Sequence, residues 1–307
     1  MSAAPAAAPA PQRLTPRAFA TLLLLACLFG ANHVAARIAL DHGTDVATAV
    51  AARSAATALV VGLIVWRARL AVRLAPRQAW VMLAIGLLVA LQSGLLYSAV
   101  ARIPVGLALL AFNAYPLCAA AAVALLYRQR PERAVLLAMP VILAGLALAL
   151  DVSGQASGLD PAAQWGRMGT GVALAVGAAL VFGVVLALTQ HEVAVLDGRL
   201  RTVITMLVVG LLAVLALALQ GGPRWPRDAT GWWALAALSL CYGTAFTVVF
   251  TLLPKLGVVG NSPILNVEPV AALLMAWALL GQAISATQWL GALVVVGTVM
   301  ALGLRRR

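Results

Sequence analysis

Inside an almost wholly apolar run from Val258 to Leu280 stands the tetrapeptide "NVEP", Asn266 to Pro269, in which Glu268 is the one charge. A carboxylate so placed must be neutralised, paired or used. Glu268 lies ten residues beyond Val258, about 15 Å at the helical rise and so close to the centre of a ~30 Å hydrocarbon layer. Removal from water favours its neutral form, which suits a proton carrier or the partner of an amine on a solute. The structural alternative is a protonated or hydrogen-bonded Glu that anchors a broken helix.

Other residues invite the same question. "FNAYP" carries Asn113, Tyr115 and Pro116. Pro116 and Pro269 have no amide hydrogen, so the carbonyls of Phe112 and Leu265 are freed and each helix can kink. Asn113 and Asn266 are donors for those carbonyls or for a ligand. Asn32 and His33 interrupt the first apolar run; Asn32 is the better ligand candidate and His33 reads as a core residue. Gln92, Tyr97 and Ser98 mark the third run, and Tyr242, Phe246 and Phe250 recur every four residues in the eighth, a stripe that either packs or faces a cavity. The solute-contact candidates in the first half are therefore Asn32, Gln92, Tyr97, Asn113 and Tyr115. In the second half they are Tyr242, Phe246 and Asn266, with Glu268 as the proton-coupling candidate. Arg53, about 12 Å into its helix from the outer face, either pairs with an acidic residue or carbonyls inside the bundle or snorkels to the outer interface.

The elements that must position these groups are membrane helices. The 307 residues are 64% hydrophobic and 10% charged, which excludes a water-soluble globule. Ten helices are expected, over 18–40, 45–66, 79–100, 103–127, 133–150, 169–190, 201–220, 229–253, 258–280 and 286–304; lipid leaves no partner for free backbone groups. Residues 1–16 are a low-complexity Ala/Pro tail and read as disordered. The net charge of +12 does not signal nucleic acid, because the basic residues are scattered along short loops. With the N-terminus inside, 15 of the 21 Lys and Arg fall in inner segments, four in outer ones (Arg102, Arg167, Arg224, Arg227) and two within spans (Arg37, Arg53). That split places both termini in the cytoplasm. Cys27, Cys118 and Cys241 lie in apolar runs, away from metal-ligand or disulfide spacing, and no metal or cofactor motif is present.

The polar stretches also repeat. Adding 153 to the numbers of Asn113 and Pro116 gives Asn266 and Pro269, and the same offset carries Phe29-Gly30 onto Phe182-Gly183, Tyr97-Ser98 onto Phe250-Thr251, Arg102 onto Lys255 and Gln129 onto Gln282. The chain thus reads as a tail (1–16), a first five-helix repeat (17–150), a periplasmic linker (151–168), a second repeat (169–304) and a basic tail (305–307). Five is odd, so the second copy enters the membrane from the opposite side. Inverted repeats are the architecture of secondary transporters, which bind solute near the midplane and alternate access. The match also keeps Arg17 to Leu40, which imitates a signal peptide, in the fold as the first helix.

Four stretches carry a further likeness: "LFGANHVAARIAL", Arg53, "IPVGLALLAFNAYP" and the run from "NSPILNVEPVAALLMAWALLGQ" to the end. Over residues 18–304 the chain resembles the ten-helix EamA-type transporters of the drug/metabolite transporter superfamily. The resemblance implies a carrier of the bacterial inner membrane, often an exporter of amino acids or other small metabolites, with a cavity lined by helices 1, 3, 4, 6, 8 and 9. It departs from the family at Phe29, where members usually have Trp, and at Gln129 and Gln282, where they often have Glu. The expected partners are a small solute and the lipid bilayer. With essentially no fixed cations on those lining helices, a polyanion is disfavoured, and a neutral, zwitterionic or cationic solute is expected. An integral-membrane enzyme would need a pair of reactive groups at one depth, which the spans do not offer.

Overall fold

The computed structural model describes residues 16–70, 73–129, 133–151, 161–251, 267–282 and 285–305. Within them the chain forms eleven helices and no strand: α1 (Pro16–Asp41), α2 (Val46–Arg67), α3 (Pro76–Val100), α4 (Val105–Phe112), α5 (Tyr115–Tyr127), α6 (Arg133–Ala149), α7 (Pro161–Glu192), α8 (Gly198–Leu219), α9 (Ala229–Thr251), α10 (Glu268–Leu280) and α11 (Ala286–Arg305). Seven spans are long and apolar enough to cross a membrane, α4 and α5 together forming one of them. Leu136–Ala149, Glu268–Leu280 and Ala286–Ala301 are shorter apolar helices.

Local chemistry sets the ends. Asp45 caps α2 by accepting from the Thr48 amide at 2.9 Å, and Asp197 caps α8 by accepting from the Arg199 amide at 2.8 Å, each satisfying a first-turn donor. Pro opens α3, α5 and α10, where its missing N–H costs nothing. The fourth expected span is interrupted at Asn113 and Ala114, as Pro116 requires. The sixth helix starts at Pro161, within the stretch expected to be linker. Pro at the first position and the helix-forming Ala162, Ala163 and Gln164 account for the extension.

The packing pairs are related by exchange of the two halves. α1 packs on α9 and α3 on α7; α3 packs on α8 and α2 on α9; α1 packs on α10 and α5 on α7; α2·α8 and α6·α11 map onto themselves. The relation reaches single contacts. A Cβ added at Gly30 would stand 3.1 Å from the amide N of Ala272, and one at Gly183 would stand 2.7 Å from that of Ala119. The two glycines and the two alanines are each 153 residues apart. At both places a helix passes close over another's backbone, and at Gly183 the approach is one that only Gly allows.

The outside of the bundle is apolar. Leu59, Leu63, Leu211, Leu215 and Leu240 are exposed, while Asn32, His33, Arg53, Gln92 and Asn113 are buried. This inversion of a soluble protein's arrangement is stable in lipid, and the protein is a multi-pass membrane protein. Exposed Trp66 and Trp80 stand at one end of the bundle and Trp232 and Trp233 at the other, as interfacial aromatics do.

Candidate functional site

Seven polar groups, Asn32, His33, Arg53, Gln92, Ser93, Tyr97 and Glu268, form one connected network across α1, α2, α3 and α10. Arg53, 3% exposed, donates from Nη1 to Tyr97 Oη at 3.1 Å and from Nη2 to Ser93 Oγ at 2.9 Å. Tyr97 Oη donates in turn to Asn32 Oδ1 at 3.2 Å. The guanidinium carbon lies 4.1 Å from the ring centroid of Tyr242 on α9 and 4.9 Å from that of Tyr97, both cation–π distances. His33, one residue on from Asn32, meets the Tyr97 ring edge-on, and its Nε2 stands 3.4 Å from Glu268 Oε1. Glu268 occupies the first turn of α10, where helix amides point toward an anion. Gln92 lies beside Ser93, within 3.4 Å of its hydroxyl.

Two aromatic groups flank this network. Phe29, Tyr242 and Phe246 contact one another with centroids 4.7 to 6.1 Å apart. Phe112, Tyr115 and Phe182 pack at 5.2 to 5.5 Å around the break between α4 and α5. Glu268 is within electrostatic range of Tyr115 and Tyr242, so the two groups approach it from both halves.

Most of the residues singled out from sequence therefore converge, with three qualifications. Asn266 and Leu265, with the first part of the ninth expected span, lie outside the described residues. Asn113 is buried and its Nδ2 has no acceptor, so it does not satisfy the carbonyl freed by Pro116. Arg53, for which pairing in the bundle or snorkelling was expected, is buried and bonded to two hydroxyls rather than to an acidic residue or a carbonyl; the face of a uniformly apolar helix cannot be read from its hydropathy. Ser93 and the approach of His33 to Glu268 were not foreseen. A signal for them exists in the repeat: the positions 153 residues after Asn32, His33, Arg53, Gln92, Ser93 and Tyr97 are Val185, Leu186, Met206, Ala245, Phe246 and Phe250. Every polar member of the network in the first half has an apolar counterpart in the second.

Both ends of the bundle are tied across the halves. At one end His42 Nδ1 lies 2.6 Å from Asp228 Oδ2, the Arg227 amide donates to the His42 carbonyl at 3.0 Å, and the Arg224 amide donates to Asp45 Oδ2 at 2.9 Å. Asp228 is held below the usual carboxylate range by the Gly231 amide first and then by His42. For Asp45, burial pushes the carboxyl up, but the Thr48 hydroxyl and the amides of Thr48, Arg224 and Ala47 outweigh it and hold it low. At the other end Arg77 pairs with Glu192 at 2.8 Å, Tyr127 donates to the same carboxylate at 3.2 Å, and Tyr127 stacks on His191 at 4.0 Å. Gln282, following α10, accepts from the Val105 amide at the start of α4 at 3.2 Å. A neutral amide thus caps a helix at one of the positions where the sequence departs from its resemblance.

Among the described residues no cluster of His, Cys, Asp and Glu has metal-binding geometry.

The sequence model of the EamA-like transporter family matches residues 17–150 and, separately, 169–304. Among solved structures, one described only as a crystal structure of a protein is similar at a TM-score of 0.60 and 20% identity, over 95% of this chain and 100% of its own. At that identity the likeness is one of fold. No curated protein matches the chain.

Proposed function

The chain belongs to the EamA-like transporter family, and from that premise we propose that it is a secondary carrier that exports a small organic solute, an amino acid or amphipathic metabolite, across the bacterial inner membrane. Ten spans in two inverted halves, with both termini in the cytoplasm, suit this reading and follow from the repeat and the distribution of basic residues. The observation that carries it is the polar network where α1, α2 and α3 of one half meet α9 and α10 of the other. Buried polar and ionisable groups are costly in a bilayer and are kept where they are used.

Roles follow from position. Asn32, Gln92, Tyr97 and Tyr242 offer polar groups and ring faces to the solute, Asn113 and Tyr115 approach from the α4/α5 break, and Phe246 supplies apolar wall. Glu268 is the coupling group. It alternates between protonated and charged as the cavity changes sides, with His33 as its neighbour. The ties at the two ends open in turn.

The test is solute flux in reconstituted vesicles, for wild type and Glu268→Gln, each with and without an imposed pH gradient. Gln keeps the shape and polarity of the protonated form, so the variant should insert and carry solute while losing stimulation by the gradient. Equal stimulation of both proteins would remove the coupling role and leave an uncoupled facilitator.

A further inference from the structure

Among the described residues Arg53 has no counter-ion: no carboxylate lies within ion-pair distance of it; its two hydrogen-bond partners are neutral hydroxyls, and the rings over which it sits are neutral. A cation buried in a membrane bundle without its opposite charge is expensive. Four buried side-chain atoms on residues 32, 33, 53 and 54 have no hydrogen-bond partner, His33 Nδ1 and Ser54 Oγ among them, and the other two share a character. Arg53 Nε and Asn32 Nδ2 are both buried, and neither has a hydrogen-bond partner. Both are donors, and the residues that carry them are joined through one hydroxyl, that of Tyr97. What complements these two donors and the uncompensated guanidinium is a negatively charged acceptor.

We propose that Arg53 and Asn32 form the subsite that takes the carboxylate of the transported solute, which makes a solute bearing a single carboxylate the substrate class. This deepens the carrier reading and rests on it. One carboxylate supplies one negative charge to the guanidinium and acceptor lone pairs to Arg53 Nε and Asn32 Nδ2, the geometry in which charge-assisted hydrogen bonds are strongest. Glu268 joins the same network through His33, whose ring meets Tyr97 edge-on and whose Nε2 stands 3.4 Å from Glu268 Oε1, so an ammonium on the same solute would have a carboxylate partner there. Arg53 stands on the second helix, outside the lining set that the resemblance implies, and brings one cation to the network, which suits a monocarboxylate and not a polyanion.

The experiment measures ligand-dependent thermal stabilisation of the intact purified chain in detergent. The probes are 3-phenylpropionate and L-phenylalanine, their amides 3-phenylpropionamide and phenylalaninamide, and sodium chloride at matched ionic strength. Both acids should raise the melting temperature of wild type, and the amides and chloride should not. Arg53→Gln should weaken the half-saturating concentration of the acids by about tenfold or more, the loss expected for a charge-assisted bond, whereas Arg53→Lys should retain part of the response. Asn32→Asp, which sets a fixed carboxylate on the same hydroxyl, should also abolish it and keeps the test valid if Arg53→Gln does not fold. Equal stabilisation by acid and amide, an equal effect of chloride, or no response to either acid would overturn the subsite. Vesicle flux separates this from the carrier reading. Flux of neutral or cationic solutes without acid binding would leave a carrier and remove the subsite; acid binding without flux of any probe would do the reverse.

Discussion

Alanine at Gly183 is the most direct test of the packing between the halves. Its Cβ would stand 2.6 Å from the carbonyl carbon and 2.8 Å from the Cβ of Cys118, and 2.7 Å from the Ala119 amide N. Unstrained contacts lie at about 3.5–4.0 Å, so α7 and α5 must separate by roughly 1 Å, and because the obstacle is backbone no rotamer change relieves it. Overpacking of this kind costs about 1–3 kcal/mol. At the related Gly30 the nearest atom is the flexible Met275 Cε at 3.0 Å, with Ala272 N at 3.1 Å and the Glu268 carbonyl at 3.3 Å, so Gly30→Ala should cost less. Gly94 has nothing within 4 Å, and Ala there should be neutral or stabilising by about 0.5–1 kcal/mol through helix propensity. The assay is a far-UV circular dichroism melt of each purified variant. The expected order of melting temperatures is Gly94→Ala, wild type, Gly30→Ala, Gly183→Ala, from highest to lowest. If Gly183→Ala melts with Gly94→Ala, the close approach of α7 and α5 is wrong.

Two further predictions concern the end of the bundle that carries Asp45 and Asp228. Both carboxyls are held low in the folded protein, so their contribution is present above the unfolded carboxylate value of about 3.9 and disappears as pH falls below it through the lower folded values. Melting temperature should therefore fall on acidification below about pH 4, and Asp45→Asn, which still caps α2 but does not titrate, should show a shallower acid slope; parallel curves would remove Asp45 from that account. In a background lacking Cys27, Cys118 and Cys241, a cysteine at Asp41 should react with an impermeant reagent from outside and one at Arg69 should not, and the opposite pattern would reverse the proposed orientation.

Hydropathy and proline were enough to place most helices and the interruption of the fourth span, because both act through the local backbone. Pro116 ends hydrogen bonding to Phe112 wherever the helix sits. The start of α7 at Pro161 was missed because the segment before its apolar run is amphipathic, and solubility there says nothing against a helix. The site was partly legible. Tyr97, Tyr242 and Glu268 stand out as isolated polar or aromatic residues in apolar runs, and the structure puts both tyrosine rings against Arg53 and Glu268 beside His33, which touches Tyr97. The place of Arg53 was not legible. Whether a lone cation faces lipid headgroups or the bundle interior depends on the rotation of α2 against α8 and α9, which is decided by tertiary packing. The repeat held a clue that the residues alone did not, namely that Met206 stands where a duplicated Arg53 would be.

That last substitution has a thermodynamic consequence. Two identical halves that exchange roles during transport would give end states related by symmetry, hence equal in energy and equally populated at rest. Here the scaffold keeps the symmetry, as the paired contacts of Gly30 with Ala272 and Gly183 with Ala119 record, but the polar load is uneven: Asn32, His33, Arg53 and Tyr97 of the first half stand opposite Val185, Leu186, Met206 and Phe250, and Glu268 of the second stands opposite Tyr115. The degeneracy is therefore broken by side chains alone. A difference of about 1.4 kcal/mol is already a tenfold bias, small beside the cost of hydrating or drying one buried guanidinium. Which way the empty carrier faces would then be a property of the first half's polar residues, adjustable by single substitutions at positions such as Val185 or Met206 without any change to the helices that move.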